Sequence, residues 1–386
     1  MDTKAFRIAI SDDALGDLHD RLARVRWPRS LAGTGWTEGA DAEFMERLVA
    51  HWRDRFDWRA QEARLNTLPQ FTAAVDGQQI HFVHQRGTGP DPFPLVLTHG
   101  WPGSFVEMEA ILPLLADPSR HGGDANDAFH VVVPSLPGYG FSPAPLKPGV
   151  GPFKVATLWA GLMQGLGYAR YGAQGGDWGA SVSTWLAFQQ PECVAGLHLN
   201  YVPGSFRPPR GSDAPPNSPE EDAFLKKARA WVEAEGAYSR IQATKPQTLA
   251  FGLNDSPVGL AAWIAEKFQS WSACGGNVEK AFSLDALLTN ISLYWFTGTI
   301  GSSFRMYLES RLQPVQFSGG QRILPPLGVA QFPRELPMPP RSWVERVFTV
   351  QRWTEMPRGG HFAAMEAPHE LAEEIRAFFR PLRRSR

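Results

Sequence analysis

Cysteine is nearly missing from this sequence. Cys193 and Cys274 are the two in 386 residues, which excludes a disulfide framework and a four-cysteine zinc site. Neither sign of charge dominates, with 38 Lys and Arg against 39 Asp and Glu. The basic cluster of Arg383, Arg384 and Arg386 is confined to the C-terminus, so no dedicated nucleic-acid surface is expected. No stretch reaches the ~20 apolar residues of a spanning helix, and Asp12 and Asp13 fall where a signal peptide needs apolar residues. A soluble, cytoplasmic protein without a membrane anchor is the expectation. Cofactor and metal motifs are lacking too. Gly87-Thr88-Gly89 has no following glycine and helix, so it is no dinucleotide loop. His81 and His84 point to opposite faces of a strand and form no metal pair. His121, Asp124, Asp127 and His130 read as a solvated turn, and Asn290-Ile291-Ser292 is a glycosylation sequon by letter only. No cofactor and no metal are therefore expected.

The chain does contain 14 Trp, 24 Phe, 33 Pro and 37 Gly, aromatic surface and sharp turns that suit an apolar pocket. Its opening reads as helices: Ser11 caps one with Leu15, Leu18, Leu22 and Val25 on one face, stopped by Pro28, and a second spans about residues 40–55. From Phe71 the pattern turns to strands, with Asp76-Gly77 as a hairpin turn. Short apolar runs then alternate with helical stretches: PLVLTHG, FVEMEAILPLL, FHVVVPSLPG, VATLWAGLMQGLG, RYGAQGGD, WGASVSTWLAFQQ and VAGLHLNYV. Continuously apolar strands between helices predict a mostly parallel sheet covered on both faces, with ligands at the carboxyl ends of its strands. A Pro/Gly/Ser-rich linker at 203–220 precedes a block that reads as helix only, and strands return at LGVAQF and RVFTVQRW before a closing amphipathic helix. The expected division is an N-terminal segment at 1–90, an α/β core at 91–202 and 320–386, and a helical cap at 203–319.

Gly175-Gly176-Asp177-Trp178-Gly179 joins an apolar strand directly to a helix. Small residues there permit the tight turn of a nucleophile elbow, but the sequence has no G-x-S-x-G and the central residue is Asp177. A carboxylate is ionised at neutral pH and can attack an sp³ carbon without an activating base. The same letters also fit an Asp that merely caps the helix. His99-Gly100-Trp101-Pro102-Gly103 follows a strand where this architecture forms an oxyanion hole, which makes the backbone N–H groups of Trp101 and Trp178 the candidate donors. His99 itself reads as structural. Gly359-Gly360-His361-Phe362 follows the last strand, where the chain order nucleophile, acid, histidine puts the base. The acid that orients His361 belongs just past a strand end, which favours Glu335; Glu345, Glu355 and Glu366 fit solvated or capping roles, and no acid follows VAGLHLNYV.

With HGWPG, GGDWG, FPRE and GGHFAAMEAP in this order, the sequence resembles the epoxide hydrolases of the α/β-hydrolase fold, in the microsomal-like branch with its own N-terminal domain. RVRWP, FDWR and LNTLPQF near the start, and the stretches around Tyr238, Asn254 and Glu266, look like that branch as well. Mammalian members begin with a membrane anchor that this sequence does not have, so a soluble microbial form is expected. The resemblance implies Asp177 as nucleophile, His361 as base and Glu335 as its partner. It also implies two cap tyrosines that protonate the epoxide oxygen, at Tyr238 and Tyr307, with Tyr294 the rival for the second. It further implies a cis bond at Trp101–Pro102.

The expected partners are a small-molecule epoxide and water, with oligomeric state, substrate identity and a detoxifying or biosynthetic role left open. Two alternatives remain: a haloalkane dehalogenase using the same aspartate, and a non-catalytic binding protein on the same scaffold.

Overall fold

A computed structural model describes residues 1–210 and 216–384. One sheet is formed by β1 (Thr3–Ala5), β2 (Gln70–Val75), β3 (Gln78–Gln85), β4 (Phe93–Thr98), β5 (Phe129–Pro134), β6 (Tyr171–Gly175), β7 (Val194–Leu199), β8 (Ile323–Gln331) and β9 (Phe348–Glu355). Their order across the sheet is β1-β2-β3-β5-β4-β6-β7-β8-β9. The six strands from β5 to β9 in that order run parallel. β1, β2 and β3 add an antiparallel extension through β5, so the early strands of the chain belong to the same sheet as the α/β core.

Helices α1 (Asp12–Ala23), α2 (Ala42–Asp54) and α3 (Trp58–Leu65) precede the sheet proper, and α4 (Ile111–Ala116), α5 (Pro152–Gly165) and α6 (Asp177–Gln189) link its parallel strands. Among the described residues, six α-helices fill the interval between β7 and β8: α7 (Pro219–Glu235), α8 (Ala237–Thr244), α9 (Pro246–Leu253), α10 (Pro257–Trp271), α11 (Leu284–Thr297) and α12 (Ile300–Leu312). Short α13 (Arg341–Val344) and α14 (Ala363–Glu366) lead to α15 (Pro368–Phe379). Both faces of the parallel strands are covered, as their unbroken apolar runs require. Val96 and Val132 pack with α5 and α6, while Leu95, Leu97, Val131 and Val133 pack with α4 and α15.

Local chemistry explains the element ends. Ser11 Oγ accepts the Ala14 N–H and starts α1, which ends at Ala23, before Pro28 is reached. Asp41 caps α2 in the same way. The single helix expected over FVEMEAILPLL divides into a 3₁₀ turn at Phe105–Met108 and α4. A continuous helix would drive the Pro113 ring into the carbonyl of Glu109. Of the linker at 203–220, residues 211–215 lie outside the described residues, as does Arg386. Ser218 and Glu221 form a capping box that starts α7.

The 121–130 stretch corrects the solvated-turn expectation in part: Asp127 is buried and Arg380 approaches it at 2.5 Å. His130 Nδ1 accepts the Gly87 N–H. Among the described residues no cluster of three His, Cys, Asp or Glu could hold a metal ion, and no helix is long and apolar enough to cross a membrane.

The N-terminal helices lie against the helices between β7 and β8. α1 and α2 touch α10, and α2 and α3 touch α11. His51 Nε2 is 2.6 Å from Asp285, Arg21 pairs with Asp255 at 2.9 Å, and Trp58 packs on Phe296. These exposed ion pairs are worth little individually; the apolar contact holds the N-terminal helices against the helices between β7 and β8.

Candidate active site

β6 runs into α6 through a turn in which Asp177 has φ 46°, a left-handed conformation that a side chain rarely adopts. The turn is tight because glycine lets elements touch: a Cβ on Gly179 would lie 2.0 Å from the Thr98 carbonyl oxygen, and one on Gly100 would lie 2.3 Å from the Asp177 Cβ. Asp177 does not cap its helix. It is the first residue of α6, and its Oδ1 instead accepts the Trp101 N–H at 2.7 Å. The Trp178 N–H, in the first turn of α6, has no intrahelical acceptor. The Trp101–Pro102 bond is cis.

His361 and Glu335 come from loops after β9 and β8 that are joined by a bridge between Arg334 and Gly360. Glu335 Oε1 accepts from His361 Nδ1 at 2.6 Å and from the Leu336 N–H at 2.7 Å, leaving His361 Nε2 3.5 Å from Asp177 Oδ2. Burial alone would lower the imidazole, but the carboxylates of Glu335 and Asp177 outweigh it and hold His361 well above its ordinary value. Glu366 accepts the N–H groups of Phe362 and Ala273, and Glu345 pairs with Arg341 at the surface. Neither approaches His361 as Glu335 does. The position after β7 is occupied by Asn200, whose Oδ1 accepts from Gln174. His99 is structural, one ring nitrogen meeting the Gly100 carbonyl and the other accepting the Leu136 N–H.

Tyr238 and Tyr307 face each other with ring centroids 5.8 Å apart, and both rings contact Trp101. Burial first, and then the negative charge of Asp177, raises Tyr238 well above the ordinary phenol value. Burial, Tyr238 and then Asp177 do the same to Tyr307. Both are therefore neutral O–H donors at physiological pH. Tyr307 Oη is buried without a hydrogen-bond partner among the described residues. A cavity of about 900 Å³ is lined by Asp177, Trp178, Tyr238 and Tyr307 together with Phe206, Phe317 and other residues. A groove of about 870 Å³ beside Met1, Val75 and Gln164 contains none of these groups, so chemistry rather than size marks the site.

Tyr294, the rival for Tyr307, donates to the Gly103 carbonyl at 2.7 Å. Tyr294→Phe should thus cost about 1–3 kcal/mol by leaving a buried carbonyl unpaired, while epoxide alkylation stays within ~3-fold of wild type, an effect too small for general-acid catalysis. Thermal melts and rapid-quench rates check the two halves separately; a collapse of alkylation would return Tyr294 to the acid role.

Three neighbours of the site gave no sequence signal. Asn290, the letter-only sequon, is buried and brackets the HGWPG loop, donating to the Pro102 carbonyl and accepting from Ser104. Lys267 is buried beside Glu266, with its ammonium 4.8 Å from the Tyr238 ring centroid. Glu107 reaches the back of the site from the 3₁₀ turn. Each acts across a contact that no local spacing announces.

Residues 3–108 match the family described as epoxide hydrolase N terminus, and residues 94–236 match the alpha/beta hydrolase fold. Epoxide hydrolase 1 of Sus scrofa is 39% identical over 399 residues, covering 97% of this chain and 88% of its own. The chain belongs to the epoxide hydrolases. The structure of the Aspergillus niger epoxide hydrolase superposes with a TM-score of 0.85 at 32% identity, covering 99% of this chain and 97% of that one. The Bombyx mori juvenile hormone epoxide hydrolase structure gives 0.84 at 30% identity, with 99% and 94% covered. This epoxide hydrolase therefore has the α/β-hydrolase fold, and it hydrolyses epoxides.

Proposed function

We propose that the reaction proceeds to a vicinal diol in two steps through a covalent ester on Asp177. The observation that carries this reading is the position of the Asp177 carboxylate between the Trp101 amide, His361 and a cavity lined by two neutral tyrosines. In the first step Asp177 attacks an epoxide carbon, the ring C–O bond breaks, and Tyr238 or Tyr307 gives its proton to the departing oxygen. Lys267 above the Tyr238 ring favours the phenolate left behind.

Ester formation removes the charge on Asp177, one of the two carboxylates that hold His361 protonated. The imidazolium then loses its proton, which restores the tyrosine through solvent, and His361 becomes a neutral base. It deprotonates a water that attacks the Asp177 carbonyl carbon, with Glu335 stabilising the returning imidazolium. The Trp101 and Trp178 amides receive the oxyanion. Collapse expels the second alkoxide, which takes the proton of the new carboxyl group, so Asp177 returns as carboxylate and the cycle balances.

The oxygen that water delivers ends on Asp177, so a single turnover in ¹⁸O-water with excess enzyme should yield unlabelled diol. Fully labelled first-turnover diol would mean direct water attack and no ester. The dehalogenase reading has one observation in its favour: the indole N–H groups of Trp101 and Trp178 are buried without partners among the described residues, and such donors suit a halide. The facing tyrosines suit an alkoxide instead. Assays of an epoxide panel beside a haloalkane panel separate the two.

A cytoplasmic location and a role in detoxification or secondary metabolism are further parts of this reading. So are the cap at 203–319, the core at 91–202 and 320–386, and an N-terminal segment at 1–90 that braces the cap.

A further inference from the structure

Behind Asp177, a second and much smaller cavity of about 20 Å³ is lined by Asp177 and His361 together with Glu107, Asn200, Gln174 and His99. One water needs roughly 10–15 Å³ and two or more polar partners, so this cavity admits a water and no substrate. The two cavities share Asp177, but His361 and Glu107 line only the small one. Once an alkyl group occupies the large cavity, a water attacking the ester must stand on the His361 side. Most polar groups around the small cavity are already engaged. Thr98 accepts from Trp159, both His99 ring nitrogens are bonded, and Gln174 and Asn200 pair with each other.

The Glu107 carboxyl is held there by sterics. It lies against the Gly103 Cα so closely that a Cβ at 103 would fall 1.3 Å from Oε1. The second glycine of HGWPG thus makes the space in which the carboxyl sits. We propose that Glu107 is a positioning residue for the hydrolytic water, accepting the hydrogen that the water does not give to His361 Nε2. The proposal rests on the two-step reading above. It gives Glu107 a part in ester hydrolysis and none in alkylation.

The groups that act on Glu107 agree with this assignment. Burial first, with the His361 charge pulling down and Asp177 pushing up, brings its carboxyl up to about 8; Tyr294 and the N–H groups of Gly100 and Ser104 are its other polar neighbours. At neutral pH it is mostly the uncharged acid, whose carbonyl oxygen is the acceptor. Glutamine has the same shape and the same acceptor.

The test separates the two chemical steps by rapid quench and intact-protein mass spectrometry. Glu107→Leu should alkylate within ~3-fold of wild type but hydrolyse the ester ~10²-fold more slowly, the loss expected when a reactant is misplaced by about 1 Å. Adduct should therefore build up in the steady state. Glu107→Gln should recover most of the hydrolysis rate, and Gly103→Ala, which keeps Glu107 but displaces its carboxyl, should reproduce the Leu defect. Equal slowing of both steps in the Leu variant, unchanged hydrolysis, or a Gln variant as slow as Leu would each overturn the proposal. His361→Gln serves as the reference: if it forms no adduct, the two-step reading itself fails. If it forms adduct while Glu107→Leu hydrolyses normally, only the role of Glu107 fails.

Discussion

His361→Gln is expected to trap the enzyme as its own ester. Glutamine cannot accept the proton of the attacking water, yet the nucleophile, the Trp101 amide and both tyrosines are untouched. The ring should still open, and turnover should fall ~10³-fold because the second step has lost its general base. Intact-protein mass spectrometry after mixing with a reactive epoxide should show an increase equal to the mass of that epoxide. Peptide mapping should place it on the peptide that contains Asp177, and Asp177→Asn in the same background should abolish it. Glu335→Gln should show a weaker form of the same behaviour, since the imidazolium loses the carboxylate 2.6 Å from Nδ1 that orients and stabilises it. Normal turnover of His361→Gln, or no adduct while alkylation is demonstrably competent, would remove His361 from the role of base.

Removing the hydroxyls of Tyr238 and Tyr307 should act on the opposite step. An epoxide opened without an acid leaves an alkoxide in a buried pocket beside a carboxylate, and on the proposed mechanism the two phenols prevent this by giving up a proton as charge develops. Each single Phe variant should slow alkylation by ~10²-fold, the range of a lost general acid, with less effect on ester hydrolysis. The double variant should fall further still, since in each single variant the remaining hydroxyl still assists. Single-turnover rates of ester formation are the measurement. Single variants that alkylate at the wild-type rate would show that neither phenol is the acid.

These two experiments divide the candidate groups as the chain divides them. Asp177, His361 and Glu335 sit at ends of β6, β9 and β8, on the mostly parallel sheet that the apolar runs already predict. They were legible as candidates because each follows a strand in a local pattern of glycine or proline. The tyrosines lie within helices between β7 and β8, where a phenol is spelled no differently from a packing residue. Tyr294 and Tyr307 are both buried in consecutive helices, and only the direction of the hydroxyl separates them: one donates to Gly103, the other opens on the site.

By itself the sequence determined what depends on near neighbours along the chain. Alternating apolar strands and helices specified a parallel sheet, because a strand buried on both faces must be apolar throughout. Gly175 and Gly179 specified a tight elbow, because an added Cβ would strike backbone. Tertiary structure alone decided what depends on groups that the chain keeps far apart. Asn290 meets the Pro102 carbonyl across 188 positions, turning an apparent sequon into a brace. Asp127, expected in solvent, is buried against Arg380 across 253 positions. The Glu107 carboxyl reaches a water-sized cavity because Gly103 leaves room and His361 arrives from the far end of the chain. Periodicity and turn chemistry act over a few residues, whereas the acidity and orientation of a side chain answer to whatever the packed sheet and helices bring within a few ångströms.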